Sequence, residues 1–185
     1  MILAAAALVA ACGSTMTSST TSSKHRIETM TDSMTDSSDV TTGNKAMIRR
    51  VYEQCLNEGK LELLDAMVAP EFVGANGETG AAGLRGTFAA LRVAFPDVHY
   101  TLEDVFAEGD RVAVRWTLEG THAAPIGGFP AHGTRVKNVG MAIYELGGGK
   151  IRKVSLLTDR LGFLQQIGVV PDDAALRAGV AVAGK

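Results

Sequence analysis

His122 and Asp159 are the two side chains whose types and positions offer proton chemistry at carbon. They belong to two of four short motifs in the second half of the chain: Phe95-Pro96-Asp97, Gly120-Thr121-His122, Thr158-Asp159 and Leu164-Gln165-Gln166-Ile167-Gly168. The stretches between these motifs read as long strands. The histidine and the aspartate fall near strand ends, where a curved sheet could turn them into a cavity. A buried carboxylate beside a polar partner is what proton transfer at carbon needs.

Alternation along the strands says which way each candidate faces. His122 shares its parity with Val112, Val114, Trp116 and Leu118, so it points to the apolar side unless a bulge intervenes. It also fits a hairpin residue hydrogen-bonded to backbone. Asp159 shares its parity with Ile151, Ser155 and Leu157. It also fits the N-cap of the helix that follows, which would leave it solvated. Arg115 lies on the face opposite Trp116, as a cross-strand salt-bridge or interface residue. His99 and His132 fall on an edge and in a loop, both exposed.

The elements that must position these groups follow from periodicity. Asn44 caps a helix whose stripe is Met47, Ile48, Val51, Tyr52, Cys55 and Leu56, ending at Gly59. Cys55 on that stripe reads as a core thiol before a reactive one. Leu61 to Val68 is a short second helix, and Glu71 to Gly83 a Gly- and Ala-rich loop. A third helix, Leu84 to Phe95, puts Leu84, Phe88, Leu91 and Phe95 on one face and stops at Pro96. Four strands follow: Val98–Phe106, Arg111–His122, Val136–Leu146 and Ile151–Thr158. In the first, Val98, Tyr100, Leu102 and Phe106 share a side. The triplet Gly147-Gly148-Gly149 joins two strands with no helix after it, so it is a hairpin turn and not a phosphate loop. A short helix covers Asp159–Gln166, and Asp172 to Arg177 could add a helical turn.

Helices grouped before strands argue for an α+β fold. Three N-terminal helices pack into a cone formed by a curved antiparallel sheet of four or more strands, with a short C-terminal helix. Val136–Leu146 is apolar on both faces: Val139, Met141 and Ile143 oppose Ala142, Tyr144 and Leu146. Helices cover one face, and a second subunit's sheet covering the other predicts a homodimer through the sheet.

Composition bounds the partners. With 18 basic and 20 acidic residues, a net charge of −2 and no basic stripe, nucleic acid is not expected. Ile2–Ala11 is an unbroken apolar run, about half a membrane span. It leads into Val9-Ala10-Ala11-Cys12-Gly13-Ser14, which resembles the lipobox of bacterial lipoproteins. That resemblance implies cleavage before Cys12, lipidation of its sulfur, and a cell-envelope location held by the lipid anchor alone. No basic residue precedes Lys24, so an inert apolar tail is the other reading. Over half of residues 13–43 are Ser or Thr, with no aromatic, the composition of a disordered tether. With Cys12 lipidated, Cys55 has no disulfide partner. The chain thus divides into a signal and lipidation site (1–12), a tether (13–43), a folded domain (44–171) and a tail (172–185).

From about Asn44 to Pro171 the chain resembles the SnoaL-like polyketide cyclase (ester cyclase) family, within the nuclear-transport-factor-2-like superfamily. The residues that carry the likeness are the four motifs, Glu108-Gly109-Asp110-Arg111-Val112-Ala113-Val114-Arg115-Trp116, Gly149-Lys150-Ile151 and Gln165-Gln166-Ile167-Gly168-Val169-Val170-Pro171. The resemblance implies cofactor-free, metal-free acid/base catalysis of an intramolecular aldol ring closure, or an isomerisation or hydrolysis, on a small hydrophobic carbonyl compound. By position the acid/base carboxylate is Asp159, with His122 holding or protonating the enolate. Asn76, Trp116, Tyr144, Ser155 and Phe88 are the substrate-binding candidates. The family pattern has a tryptophan where this chain has Ser155, and a histidine in the segment Phe72 to Asn76. An alternative is a non-catalytic envelope lipoprotein that binds a hydrophobic ligand or a protein partner in the cone.

Overall fold

A computed structural model of the chain describes residues 38–179. The apolar run, Cys12 and most of the Ser/Thr-rich segment lie outside the described residues. Within them, no helix is long and apolar enough to cross a membrane.

The first helix, α1, is α-helical over residues 38–50 and widens into a π-helical turn over Val51–Asn57. It therefore takes in residues 38–43, the end of the stretch expected to be a tether. Asn44 is accordingly not its cap. It is buried inside the helix, and its Nδ2 donates to the Gly109 carbonyl at 3.1 Å, tying α1 to a strand turn. The apolar stripe buries Ile48, Val51, Tyr52, Cys55 and Leu56. Burial pushes the Cys55 thiol up, as suits a core side chain.

The expected second helix is cut short. A 3-10 turn, Leu61–Leu63, and the single helical turn α2, Leu64–Met67, lead straight into a strand, β1, Val68–Val73. β1 was missed because Pro70 breaks the alternation. Pro70 is tolerated since β1 is an edge strand. β1 buries Phe72 completely and pairs in parallel with the last strand. Helix α3 then spans Gly80–Ala94, starting a turn earlier than its apolar face indicates. Its Arg92 donates to the carbonyls of Leu56 (2.6 Å) and Asn57 (3.1 Å), partners for the free end of α1.

Four antiparallel strands complete the sheet: β2 (His99–Glu108), β3 (Arg111–Thr121), β4 (Arg135–Gly147) and β5 (Lys150–Thr158). The order is β1-β5-β4-β3-β2. Gly148 and Gly149 have φ of 58° and 69°, as a tight β4–β5 hairpin requires. The short helices α4 (Arg160–Gln166) and α5 (Asp173–Arg177) follow. The fold is the α+β curved, open sheet with helices on its concave side. One core joins α1, α3 and the inner sheet face: Val112, Val114, Trp116, Leu118, Val136, Ala142, Tyr144, Leu146 and Ile151.

Two bulges overturn two of the parity expectations. The β2–β3 register shifts between Leu102 and Asp104. The extra residue sends Phe106 to the outer face, 67% exposed, and turns Val105 and Ala107 inward. The β4–β5 register shifts between Glu145 and Leu146, where Ile151 opposes Leu146 and Lys153 opposes Glu145. Ile151 is buried, but beyond the bulge Val154 and Leu156 take the inner face. Ser155, Leu157 and Asp159 fall to the outer one.

Candidate active site

The concave side holds a cavity of about 90 Å³. Its walls are aromatic: Tyr52 from the π-turn of α1, Phe88 from α3, Tyr100 from β2, Trp116 from β3 and Tyr144 from β4. Leu84, Val154 and Leu156 add aliphatic surface, and Asn76, Glu78 and Thr87 supply polar atoms on one side. Exposed Asn76 and Leu156 mark its rim.

Each aromatic is fixed by its neighbours. Tyr100 takes its place because Asn57 brackets it: its backbone N–H donates to Asn57 Oδ1 (2.7 Å), and Asn57 Nδ2 donates to its carbonyl (2.9 Å). Its ring meets Tyr52 and Trp116 edge to face, with centroids 5.5 and 5.1 Å apart. The Tyr144 and Tyr52 hydroxyls share a hydrogen bond at 3.0 Å. Trp116 lies over Gly140, where a Cβ would come within 2.6 Å of its Cη2. Periodicity alone did not single out this glycine. Burial raises the Tyr144 hydroxyl to about 12 and pushes those of Tyr52 and Tyr100 up as well. All three are neutral hydrogen-bond donors at physiological pH. Trp116 Nε1–H is buried beside the Tyr52 hydroxyl but makes no hydrogen bond of ordinary geometry among the described residues, a rare state for a buried donor.

Among the described residues, Glu78 is the one carboxylate in the cavity wall. Its Oε2 accepts from Asn76 N (2.9 Å), and its Oε1 accepts from Asn76 Nδ2 and Thr87 Oγ1 (both 3.0 Å). Glycines make room for it: a Cβ on Gly74 would overlap Oε2, and one on Gly83 would lie 3.3 Å from the glutamate Cβ. Burial tends to raise its pKa, but the hydrogen bonds from Asn76, its own backbone and Thr87 outweigh this and hold the carboxyl below its ordinary value. Glu78 lies in the segment read from sequence as a plain loop. The signal that could have found it is a glutamate flanked by close-packed glycines, Gly74 to Gly83.

The expected catalytic pair is not in the cavity. Asp159 is exposed and caps α4, its Oδ1 accepting from Gly162 N at 2.8 Å. The β5 bulge is what turns it, with Ser155, to the outer face. Asp159→Ala is expected to cost ~0.5–2 kcal/mol, and Asp159→Asn, an equally good cap, almost nothing. Urea unfolding of the two variants checks this; equal losses would show that capping is not its role.

His122 does point inward, as its parity indicates, and is fully buried. It belongs to a separate cluster, stacked on Phe95 (centroids 5.4 Å) and near Phe163 (5.9 Å) and exposed His132 (6.0 Å). Neither ring nitrogen makes a hydrogen bond of ordinary geometry among the described residues, although the Ala124 backbone lies beside the ring. Burial first, and then nearby His132, hold its pKa below the usual imidazole value. An unfolded histidine binds a proton near pH 6.5. The native state resists that proton, so His122's contribution is fully present above that pH and is lost as pH falls through the depressed native value. The urea midpoint should therefore fall from pH 7.5 to 5. His122→Phe should flatten that slope; an unchanged slope would place the titration elsewhere.

The Asp97 carboxylate locks the strand that carries His122. It accepts from Thr121 N (2.6 Å) and Thr121 Oγ1 (2.8 Å) and pairs with Arg135 at 3.3 Å. These hydrogen bonds from Thr121 hold it below its ordinary value. At Gly120 a Cβ would lie 3.3 Å from the Phe95 side chain and the Val98 backbone. Phe95-Pro96-Asp97 and Gly120-Thr121-His122 are thus a structural clasp between the end of α3 and β3. Arg115 makes the expected cross-strand pair, with Asp104 at 2.6 Å. No group of three or more His, Cys, Asp or Glu that could hold a metal occurs among the described residues.

The family model for the SnoaL-like polyketide cyclase matches residues 46–167. The chain belongs to that family. A provisionally assigned polyketide cyclase of Acidithiobacillus ferrooxidans is 30% identical, with 68% of this chain and 94% of that one covered at a TM-score of 0.60. TsrD of Streptomyces laurentii is 29% identical, with 68% and 97% covered and a TM-score of 0.63. A SnoaL-like polyketide cyclase of Agrobacterium tumefaciens shares the fold at 23% identity, with 65% and 95% covered and a TM-score of 0.59. None of the curated proteins matches the chain. Membership of the SnoaL-like family suggests a cofactor-free, cyclase-type function.

Proposed function

We propose that this SnoaL-like protein catalyses cofactor-free proton transfer on a small hydrophobic carbonyl compound, as the first step of an intramolecular aldol closure or an isomerisation. The observation that carries this reading is the buried Trp116 Nε1–H in the cavity wall, which has the Tyr52 hydroxyl beside it but makes no hydrogen bond of ordinary geometry among the described residues. A substrate carbonyl oxygen would supply the missing acceptor. The charge that grows on that oxygen as the α-proton leaves would strengthen the bond where water is excluded. The neutral tyrosine hydroxyls add further donors, and the aromatic rings take the apolar body of the substrate.

A second reading, non-catalytic capture of a hydrophobic ligand, is favoured by the position of Asp159 outside the cavity. One probe separates the two. Trp116 is the chain's only tryptophan and so reports from inside the cavity. With 2-tetralone, the proposal expects both a change in indole fluorescence and accelerated loss of the α-proton NMR signal in D2O. Binding without exchange would leave the capture reading; no binding would sink both.

The outer sheet face supports a homodimer. Val139, Met141, Ile143, Leu157 and Phe106 are 47–74% exposed, a run of apolar side chains on a strongly exposed sheet. Met141→Lys with Leu157→Lys is expected to convert a dimer to a monomer in sedimentation velocity; an unaltered sedimentation coefficient would refute this interface. Membrane attachment through lipidated Cys12 is part of the same proposal, supported by the Ala10-Ala11-Cys12 sequence after the apolar run.

A further inference from the structure

We infer that Glu78, and not the aspartate at the family position, is the residue that takes the substrate's α-proton. The inference rests on the catalytic reading above. Three features of the site carry it. First, among the described residues Glu78 is the only acid or base in the cavity wall besides the tyrosines, whose hydroxyls stay protonated. Second, its carboxylate is built in: three hydrogen bonds at 2.9–3.0 Å and the space left by Gly74 and Gly83 fix its position. A carboxylate offers about four acceptor positions, so three bonds leave one for a substrate proton. Third, no Lys, Arg or His among the described residues lines the cavity to neutralise it.

The step balances on the chain's own groups. The α-carbon proton moves to a Glu78 carboxylate oxygen. The C–H electron pair forms a carbon–carbon double bond, and the carbonyl pair moves onto oxygen, giving an enolate held by Trp116 N–H. In an isomerisation Glu78 returns the proton to another carbon. In a ring closure the enolate carbon attacks a second carbonyl of the same molecule, and Glu78 returns the proton to the new alkoxide. A carboxylate of unraised pKa can do this when donors stabilise the enolate. The hydrogen bonds from Asn76 and Thr87 keep Glu78 ionised at neutral pH, ready to accept.

The test uses the full chain and 2-tetralone in D2O. Wild-type exchange is expected to be flat through neutral pH and to fall only below the ordinary carboxylate range. Glu78→Gln should slow exchange by ~10²–10⁴ while the Trp116 fluorescence response to the probe persists. Asp159→Asn should exchange at the wild-type rate. Thr87→Val removes one hydrogen bond but not the carboxylate, and so should move the acid limb of the profile to higher pH with a functional enzyme. Wild-type exchange in Glu78→Gln, or an acid limb that stays put in Thr87→Val, overturns the assignment and leaves the catalytic reading intact. Probe binding without any wild-type exchange overturns that reading and the role of Glu78 with it.

Discussion

Gly140→Ala is expected to displace Trp116 and lower stability by ~1–3 kcal/mol or more, as overpacking in a dense core does. The added Cβ would sit 2.6 Å from Cη2 of the indole and 2.9 Å from the Leu157 carbonyl oxygen. The ring can rotate away, but the carbonyl belongs to β5, which the sheet ladder holds in place. Relief therefore comes from moving Trp116 out of the cavity wall. Because Trp116 is the only tryptophan, its emission maximum and the urea midpoint report the two effects together. The same variant should lose the fluorescence response to 2-tetralone. A native emission spectrum with an unchanged midpoint would mean that the indole is not seated on Gly140.

Phe72→Ala should be the most destabilising truncation in the domain, by ~3–5 kcal/mol. Phe72 is the largest of the fully buried side chains, and it sits on β1, the edge strand that closes the sheet against β5. Domains of this kind are stable by only ~5–15 kcal/mol, so the variant should show a much-reduced urea midpoint and fold poorly at 37 °C. A loss below ~1 kcal/mol would show that β1 is a loosely held edge. Phe72→Leu fills most of the space and should recover over half of the loss.

Both substitutions mark where local sequence rules stopped. The α1 stripe, the inward face of β3 down to His122, and the glycine hairpin between β4 and β5 follow from patterns within one element. A helix with apolar residues every three or four positions can be buried in only one orientation, and an unbroken strand keeps its alternation. β1 escaped because Val68–Val73 is short and carries Pro70; it is a strand only because β5 offers it a parallel partner.

The candidate site was partly legible for the same reason. Trp116, Tyr144, Phe88 and Asn76 were named from the sequence, and the structure puts all four in the cavity wall. Asp159, Ser155 and His122 were also named, and it puts none of them there. Asp159 and Ser155 were named by their position in the family resemblance and given a face by counting along β5, and the bulge opposite Glu145 and Leu146 adds a residue to that count. A bulge costs a strand little and leaves no clear mark in composition, yet it exchanges the two faces for every residue beyond it. Glu78 was overlooked because its hydrogen-bond partners Asn76 and Thr87, though near in the chain, mark no site by themselves, and the aromatic residues of β2, β3 and β4 that make the cavity are distant in the chain.

The sequence by itself determined the family, the α+β class and the buried faces of α1 and β3, since these rest on periodicity and on motifs that lie within single elements. The tertiary structure alone decided which carboxylate faces the cavity. That choice depends on strand register and on the aromatic walls that the sheet brings up to the loop of Glu78, and both are fixed by contacts between residues far apart in the chain.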